Sequence, residues 1–266
     1  MKKPKILSSL LTLGIAASLL CQSTVFAEET GTDAAVTATE SGSVTTNSIS
    51  GWTQAADISS EAAVVMENTT NTILYSKNAD EVLFPGSTVK IMTCLLALEN
   101  TQLTDEVTMT ATGVSGVTDG GASISSQVDE VFTMEQCLYA VMVSSANDIA
   151  LQIAEHVGGS VKNFVQMMND RAQALGCTNT IFTNPTGLPD DNQHTTAHDM
   201  ALIMQAAIQS DAFRTIAAAT SYTIPATNKA AARNLTSKFT MTDTGSTGLT
   251  LNYFMYGDNG DLMISR

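Results

Sequence analysis

In Phe84-Pro85-Gly86-Ser87-Thr88-Val89-Lys90-Ile91-Met92-Thr93-Cys94-Leu95-Leu96-Ala97-Leu98-Glu99, a break at Phe84-Pro85-Gly86 precedes a run whose spacing predicts a helix over residues 87–99. Val89, Ile91, Met92, Cys94, Leu95, Leu96 and Leu98 cover nearly its whole circumference. A helix apolar all round is a buried helix. Lys90 lies on it, and a lysine with almost no polar face around it needs a partner or a function. Residues three apart share one helix face, about 4.5 Å along the axis, so Lys90 stands over Ser87. A serine hydroxyl is a weak nucleophile until a neighbour takes its proton. An amine kept neutral by burial can take it. At a helix N-terminus, unbonded N–H groups and the positive dipole end favour negative charge developing beside Ser87. Alone, Ser-x-x-Lys arises by chance about once in a chain of this size. Its bland reading is an N-cap serine followed by a surface lysine, which the apolar setting of Lys90 opposes.

The next polar signal outward is Ser144-Ser145-Ala146-Asn147, which follows an apolar run at residues 137–143 and sits between two predicted helices. Such a turn can present Ser145 and Asn147 together. Ser145 could relay a proton between Lys90 and a leaving group, and Asn147 could bind a substrate amide and orient Lys90. The alternative is an ordinary N-cap, for which Ser and Asn are preferred. Thr133-Met134-Glu135-Gln136 has capping-box spacing and starts the helix before this turn. A helix over 148–157 stops at Gly158-Gly159. Ser160 caps another, in which Val161, Phe164, Val165, Met168, Ala172 and Leu175 keep helical period until Gly176. Residues 180–183 read as extended, Asn184-Pro185-Thr186-Gly187 as a turn, and Thr196 as the cap of a helix to about residue 209. Residues 62–66 and 72–75 form a hairpin signal around Glu67-Asn68-Thr69-Thr70-Asn71, and 222–224 a further strand. The pattern predicts an α+β domain whose one sheet draws strands from both ends of the chain.

The chain has 266 residues, 44% hydrophobic and 14% charged, which is a core-forming composition. Acids outnumber bases 26 to 12, for a net charge of −14, so a basic nucleic-acid footprint is missing. Residues 1–27 read as a secretory signal: Lys2, Lys3 and Lys5, an apolar stretch at 6–20, and Val25-Phe26-Ala27 before a cut at Glu28. A membrane anchor is the alternative, for which the stretch is short. No apolar run after residue 27 is long enough to span a bilayer. Export would take Cys94, Cys137 and Cys177 out of the reducing cytosol; they read as buried small hydrophobes. Residues 28–55, rich in Thr, Ser, Ala and Gly, read as a flexible tether before a domain at 56–266.

Taken in order, these motifs resemble those of the secreted serine D-alanyl-D-alanine carboxypeptidases. The segment from Phe84 to Thr93 is similar to their active-serine segment, and Ser145-Ala146-Asn147-Asp148 to their second motif. Phe164 through Leu175-Gly176, Thr180-Ile181-Phe182-Thr183-Asn184-Pro185-Thr186-Gly187-Leu188, and His194-Thr195-Thr196-Ala197-His198-Asp199-Met200-Ala201 resemble further shared stretches, so the likeness covers about residues 58–230. The resemblance implies an α+β fold of the serine β-lactamase/DD-peptidase kind, an antiparallel sheet flanked by helices with a helical subdomain. It implies release of the terminal D-alanine from peptidoglycan stem peptides through an acyl-serine, and acylation by β-lactams. By the same resemblance Ser87 is the nucleophile and Lys90 the general base. Ser145 is the proton relay, Asn147 holds substrate and lysine, and the Ser87 N–H supplies half of an oxyanion hole. It implies no cofactor, metal or nucleic acid, and a place in the cell envelope outside the cytoplasmic membrane.

The sequence departs from the family in one respect. The third motif, Lys-Thr-Gly, does not occur: Lys162, Lys229 and Lys238 are the lysines after Asn147, and none precedes Thr-Gly. Asp243-Thr244-Gly245 would put an acid where a cation should meet the substrate carboxylate. The expectation is a chain shortened at its C-terminus, without the catalytic strand, that hydrolyses D-Ala-D-Ala poorly. Three rival readings stand beside this one. A zinc peptidase could use His194 and His198 near Asp190, Asp191 and Asp199, although Thr196 as cap leaves His194 before the first turn. A class A β-lactamase would need a Glu-x-x-Leu-Asn segment, which is absent, and Ala146 stands where it carries aspartate. A wall-binding or penicillin-sequestering protein without turnover is the third.

Overall fold

The computed structural model describes residue 58, residues 60–115 and 121–237, and the backbone of strand segments at 45–46, 253–256 and 262–265. All lie within one compact unit, Thr39–Arg266. The leader reading of 1–27 and, apart from one short strand, the tether reading of 28–55 lie outside the described residues.

The fold is α+β. Strand β1 (Thr45–Thr46), β2 (Ala63–Met66) and β3 (Ile73–Lys77) form an antiparallel sheet with β3 in the middle. The expected hairpin is β2–β3. Its turn is organised by Glu67, whose carboxylate accepts from the N–H groups of Thr69 and Thr70 and from the Thr70 hydroxyl. Those bonds, the Thr70 hydroxyl first, bring the Glu67 carboxyl down to about 2.

The predicted helix over 87–99 divides in two: a 3-10 turn at Gly86–Val89, then α1 (Lys90–Asn100). The division has a local cause. Gly86 has φ +52°, and the Thr88 hydroxyl donates to the Pro85 carbonyl at 2.6 Å, which tightens the first turn. Eight consecutive residues from Lys90 to Ala97 are buried. The reason is that α1 touches α3 (Met134–Ser144), α4 (Asn147–Gly158), α5 (Val161–Ala174), α6 (Ala197–Ala207) and α7 (Asp211–Ala217). Surrounded by five other helices, α1 has no solvent side over these eight residues, as its composition required; Glu99 and Asn100 at its end are exposed.

The caps fall where the side chains predicted them. Thr133 and Gln136 form both arms of a capping box at α3. Ser160 accepts from the Asn163 N–H and Thr196 from the Asp199 N–H. Helix α7, capped by Ser210, was not anticipated. Nor were β4 (Glu106–Thr108), α2 (Ala111–Ser115) and β5 (Val131–Thr133), which are too short to carry a period.

The expectation of one sheet fed from both ends is corrected among the described residues. Strands β6 (Ser221–Ile224) and β7 (Arg233–Thr236) pair with each other, as do β8 (Tyr253–Tyr256) and β9 (Leu262–Ser265); neither pair joins β1–β3. Different helices cover the different sheets: α6 lies on β2, while α3 lies on β6 and β7. The β6–β7 hairpin is also tied down by charge. Arg233 donates to both carboxylate oxygens of the fully buried Glu130, at 2.7 and 2.9 Å, and its guanidinium lies 5.7 Å from the Phe132 ring centre.

Candidate active site

Lys90 is the first residue of α1 and has no solvent-exposed surface. Its Nζ lies 3.2 Å from Ser87 Oγ, as the three-residue spacing requires. Ser145 Oγ approaches the same Ser87 Oγ from another element, also at 3.2 Å. Ser145 gets there through its backbone. It closes α3 in the left-handed conformation (φ +55°, ψ 33°), and Ala146 returns to extended geometry before α4 starts at Asn147. A non-glycine residue there carries about 1–3 kcal/mol of strain, and such strain gathers where a side chain must be aimed.

The second motif is fixed from behind. The Asn147 N–H donates to the Ala122 carbonyl at 2.7 Å. The buried Asp148 accepts from the hydroxyls of Ser123 and Ser126, at 2.8 and 2.7 Å, and from the Ser126 N–H at 3.1 Å. Loop 122–126 is thereby stitched to the start of α4. Asn147 Oδ1 is buried with no hydrogen-bond partner among the described residues. It does not accept from Lys90, whose Nζ donates to the main-chain carbonyl of Thr186. Burying an amide oxygen unpaired costs about 1–3 kcal/mol, so a ligand N–H arriving there meets an acceptor already stripped of water.

The Thr186 carbonyl was not among the residues anticipated for the site. The turn that carries it was legible, at Asn184-Pro185-Thr186-Gly187, but a main-chain oxygen has no residue-type signature. Gly187 has φ +81°, and a Cβ there would stand 1.9 Å from the Gly86 oxygen and 2.8 Å from the Ser87 nitrogen. Only a glycine lets this turn lie against the peptide that carries Ser87. The Thr93 hydroxyl, one turn beyond Lys90, donates to the Pro185 carbonyl at 2.8 Å. The thiol of Cys94, also on α1, is pushed up to about 12 by burial, with the Lys90 charge acting against that.

The two histidines have separate partners. His198 Nδ1 lies 3.0 Å from an Asp80 carboxylate oxygen, whereas His194 Nδ1 lies 3.1 Å from the Asn192 carbonyl. Among the described residues no three His, Cys, Asp or Glu side chains gather as a metal site. Asp243-Thr244-Gly245 lies outside the described residues. The backbone of β8 runs beside the 3-10 turn that holds Ser87.

A serine hydroxyl between a buried amine and a second hydroxyl can lose its proton to one and pass protons through the other, which is acyl-transfer chemistry. Comparison with known proteins points the same way. A family model described as D-alanyl-D-alanine carboxypeptidase matches residues 50–252. The D-alanyl-D-alanine carboxypeptidase DacF of Bacillus subtilis (strain 168) is 36% identical over 148 residues, 54% of this chain and 37% of that protein. The D-alanyl-D-alanine carboxypeptidase of Streptomyces sp. (strain K15) is 32% identical over 181 residues, 65% of this chain and 62% of that protein. In each case the chain spans less than two thirds of the relative. Among solved structures, a mutant Streptomyces K15 DD-transpeptidase superposes with TM-score 0.68 at 26% identity, covering 79% of this chain and 90% of that one. Penicillin binding protein 5 from Haemophilus influenzae gives 0.63 at 29% identity, covering 70% and 54%.

Proposed function

This chain belongs to the D-alanyl-D-alanine carboxypeptidase family, and on that premise we propose that it is a serine-type carboxypeptidase acting on peptidoglycan stem peptides ending in D-Ala-D-Ala. The observation that carries the proposal is Ser87 Oγ placed 3.2 Å from both Lys90 Nζ and Ser145 Oγ. Neutral Lys90 takes the Ser87 proton as Oγ attacks the carbonyl carbon of the last peptide bond. That C–N bond breaks, and the proton reaches the leaving D-alanine nitrogen through the Ser145 hydroxyl. Water then attacks the acyl-serine as it gives a proton to Lys90, and Lys90 returns that proton to Ser87 Oγ as the ester C–O bond breaks, which frees the shortened peptide and leaves Ser87 and neutral Lys90. Asn147 Oδ1 accepts a substrate amide N–H, and the Ser87 N–H faces the developing oxyanion.

A β-lactam enters the same path. Its ring amide opens onto Ser87 Oγ, and the released nitrogen takes the proton but stays tethered to the acyl group, so water is kept from the ester. Export is part of the proposal, and the reading of residues 1–27 as a leader fits it. Among the described residues no helix is long and apolar enough to cross a membrane.

A second reading shares the same acylation step: a penicillin-binding protein that forms the β-lactam adduct on Ser87 but releases little D-alanine. Two assays on the purified chain decide. Benzylpenicillin should add its own mass to the peptide containing Ser87, and no adduct there would overturn both readings. Release of D-alanine from a diacetyl-lysyl-D-Ala-D-Ala peptide separates the carboxypeptidase from a penicillin-binding protein without turnover.

A further inference from the structure

We propose that Asn184 is a positioning residue for Lys90, acting through the peptide plane between Thr186 and Gly187; this rests on the reading of Lys90 as the base at Ser87. The argument is one of covalent geometry. In a trans peptide the C=O and the following N–H point in opposite directions from one rigid plane. The Gly187 N–H donates to Asn184 Oδ1 at 2.8 Å. The carbonyl at the other end of that plane, on Thr186, is therefore turned away from Asn184, and it accepts from Lys90 Nζ. One side-chain oxygen thus sets the direction of the main-chain acceptor that the buried amine meets.

Asn184 is equipped for this. Its Oδ1 also accepts from the Thr186 N–H at 3.1 Å and the Thr186 hydroxyl at 2.8 Å, and its Nδ2 donates to the Leu188 carbonyl at 3.0 Å. The asparagine is itself held. The side-chain oxygen of buried Gln193 accepts from the Thr183 and Asn184 N–H groups, both at 3.2 Å. Two side chains of α1 grip the turn, Lys90 at the Thr186 carbonyl and Thr93 at the Pro185 carbonyl. The lack of a Cβ on Gly187 lets the plane approach the Gly86–Ser87 peptide.

The consequence for Lys90 is directional. A neutral amine has two N–H bonds and one lone pair. With one N–H committed to the Thr186 carbonyl, rotation about the last side-chain bond is restricted and the lone pair can be kept on Ser87. Removing Asn184 Oδ1 frees the plane to turn, and the amine loses both its bearing and an acceptor that favours its charged form. Cys94, the thiol that feels the Lys90 charge, is pushed up to about 12 and stays neutral through the working range.

The test uses the full chain and three variants: Asn184→Ala; Asn184→Asp, which keeps the accepting oxygen; and Thr186→Val, which removes one of its three donors. The rate of benzylpenicillin adduct formation on Ser87 is followed by mass from pH 5 to 9. Asn184→Ala should be slowed about ten- to a hundred-fold at its plateau, with the acidic limb moved to lower pH by about one unit. Asn184→Asp should recover most of the rate, and Thr186→Val should show a smaller shift of the same sign. An Asn184→Ala profile superimposable on the parent's overturns the inference, as does an unshifted Thr186→Val profile if the alanine variant does not fold. In parallel, an amine-reactive succinimidyl ester is mapped onto Lys90. The parent should be protected and Asn184→Ala labelled at least several-fold faster. Should the parent take no penicillin at all, the catalytic reading fails, and equal labelling of Lys90 in the two proteins then overturns the positioning on its own.

Discussion

Ser145 Oγ lies 3.2 Å from Ser87 Oγ although 58 positions separate the two serines in the chain. The contact depends on Ser145 taking φ +55° at the end of α3. Replacing Ser145 by alanine should slow penicillin adduct formation about 10²-fold, the size expected of a lost proton relay, with thermal stability nearly unchanged. Ser145→Gly loses the same hydroxyl but also the left-handed strain. It should match alanine in adduct rate and melt at a higher temperature. A glycine variant that melts lower would mean that the conformation is not strained.

Lys90 has no exposed surface, and replacing a buried amine by methionine leaves a similar volume without a polar group to desolvate. Lys90→Met should therefore melt at or above the parent temperature while adduct formation falls by at least about 10²-fold. Adduct accumulating at the parent rate would remove Lys90 from the chemistry.

Gly187→Ala combines a φ of +81° with a Cβ 1.9 Å from the Gly86 oxygen. The turn must back away from the Ser87 peptide. Destabilisation of about 2 kcal/mol or more in urea unfolding is expected, together with loss of adduct formation. A variant of parent stability would show that the turn can retreat freely.

Glu130 gives a pH-dependent test. Burial pushes its carboxyl up, but hydrogen bonds from Arg233, Thr227 and the Gln127 N–H, with the Arg233 charge, outweigh it and leave the carboxyl below its ordinary 4.5. A carboxyl held lower in the folded state stabilises it above the unfolded value and loses that contribution as pH falls toward the folded value. Arg233→Met strands the buried carboxylate, at a cost of about 3–5 kcal/mol near neutrality. Without the arginine the Glu130 carboxyl should rise, so the variant favours its protonated form. The gap between the urea midpoints of parent and variant should be wide at pH 7 and narrow by pH 4; a constant gap would remove the pair as the cause.

Much of the fold was legible because its signals are local. Caps at Thr133, Ser160 and Thr196 work across three residues and are fixed by residue type. The apolar circumference of α1 foretold burial on all sides. Helix α7 and the strands β4, β5 and β7 were missed because elements of three to seven residues hold too few turns or alternations to show a period. The single-sheet expectation failed for a related reason: strand pairing is a long-range choice, settled by which helix covers which strand.

At the site the division is the same. The sequence by itself placed Lys90 over Ser87, because a three-residue step on a helix leaves little freedom, and it singled out Ser145 and Asn147 by type and position. It also marked Asn184-Pro185-Thr186-Gly187 as a turn. Only the tertiary structure brought that turn 96 residues along the chain to Lys90 and presented the Thr186 carbonyl to the amine. Every residue has such a carbonyl, so its identity says nothing; its direction comes from one rigid peptide plane and from the packing that holds it.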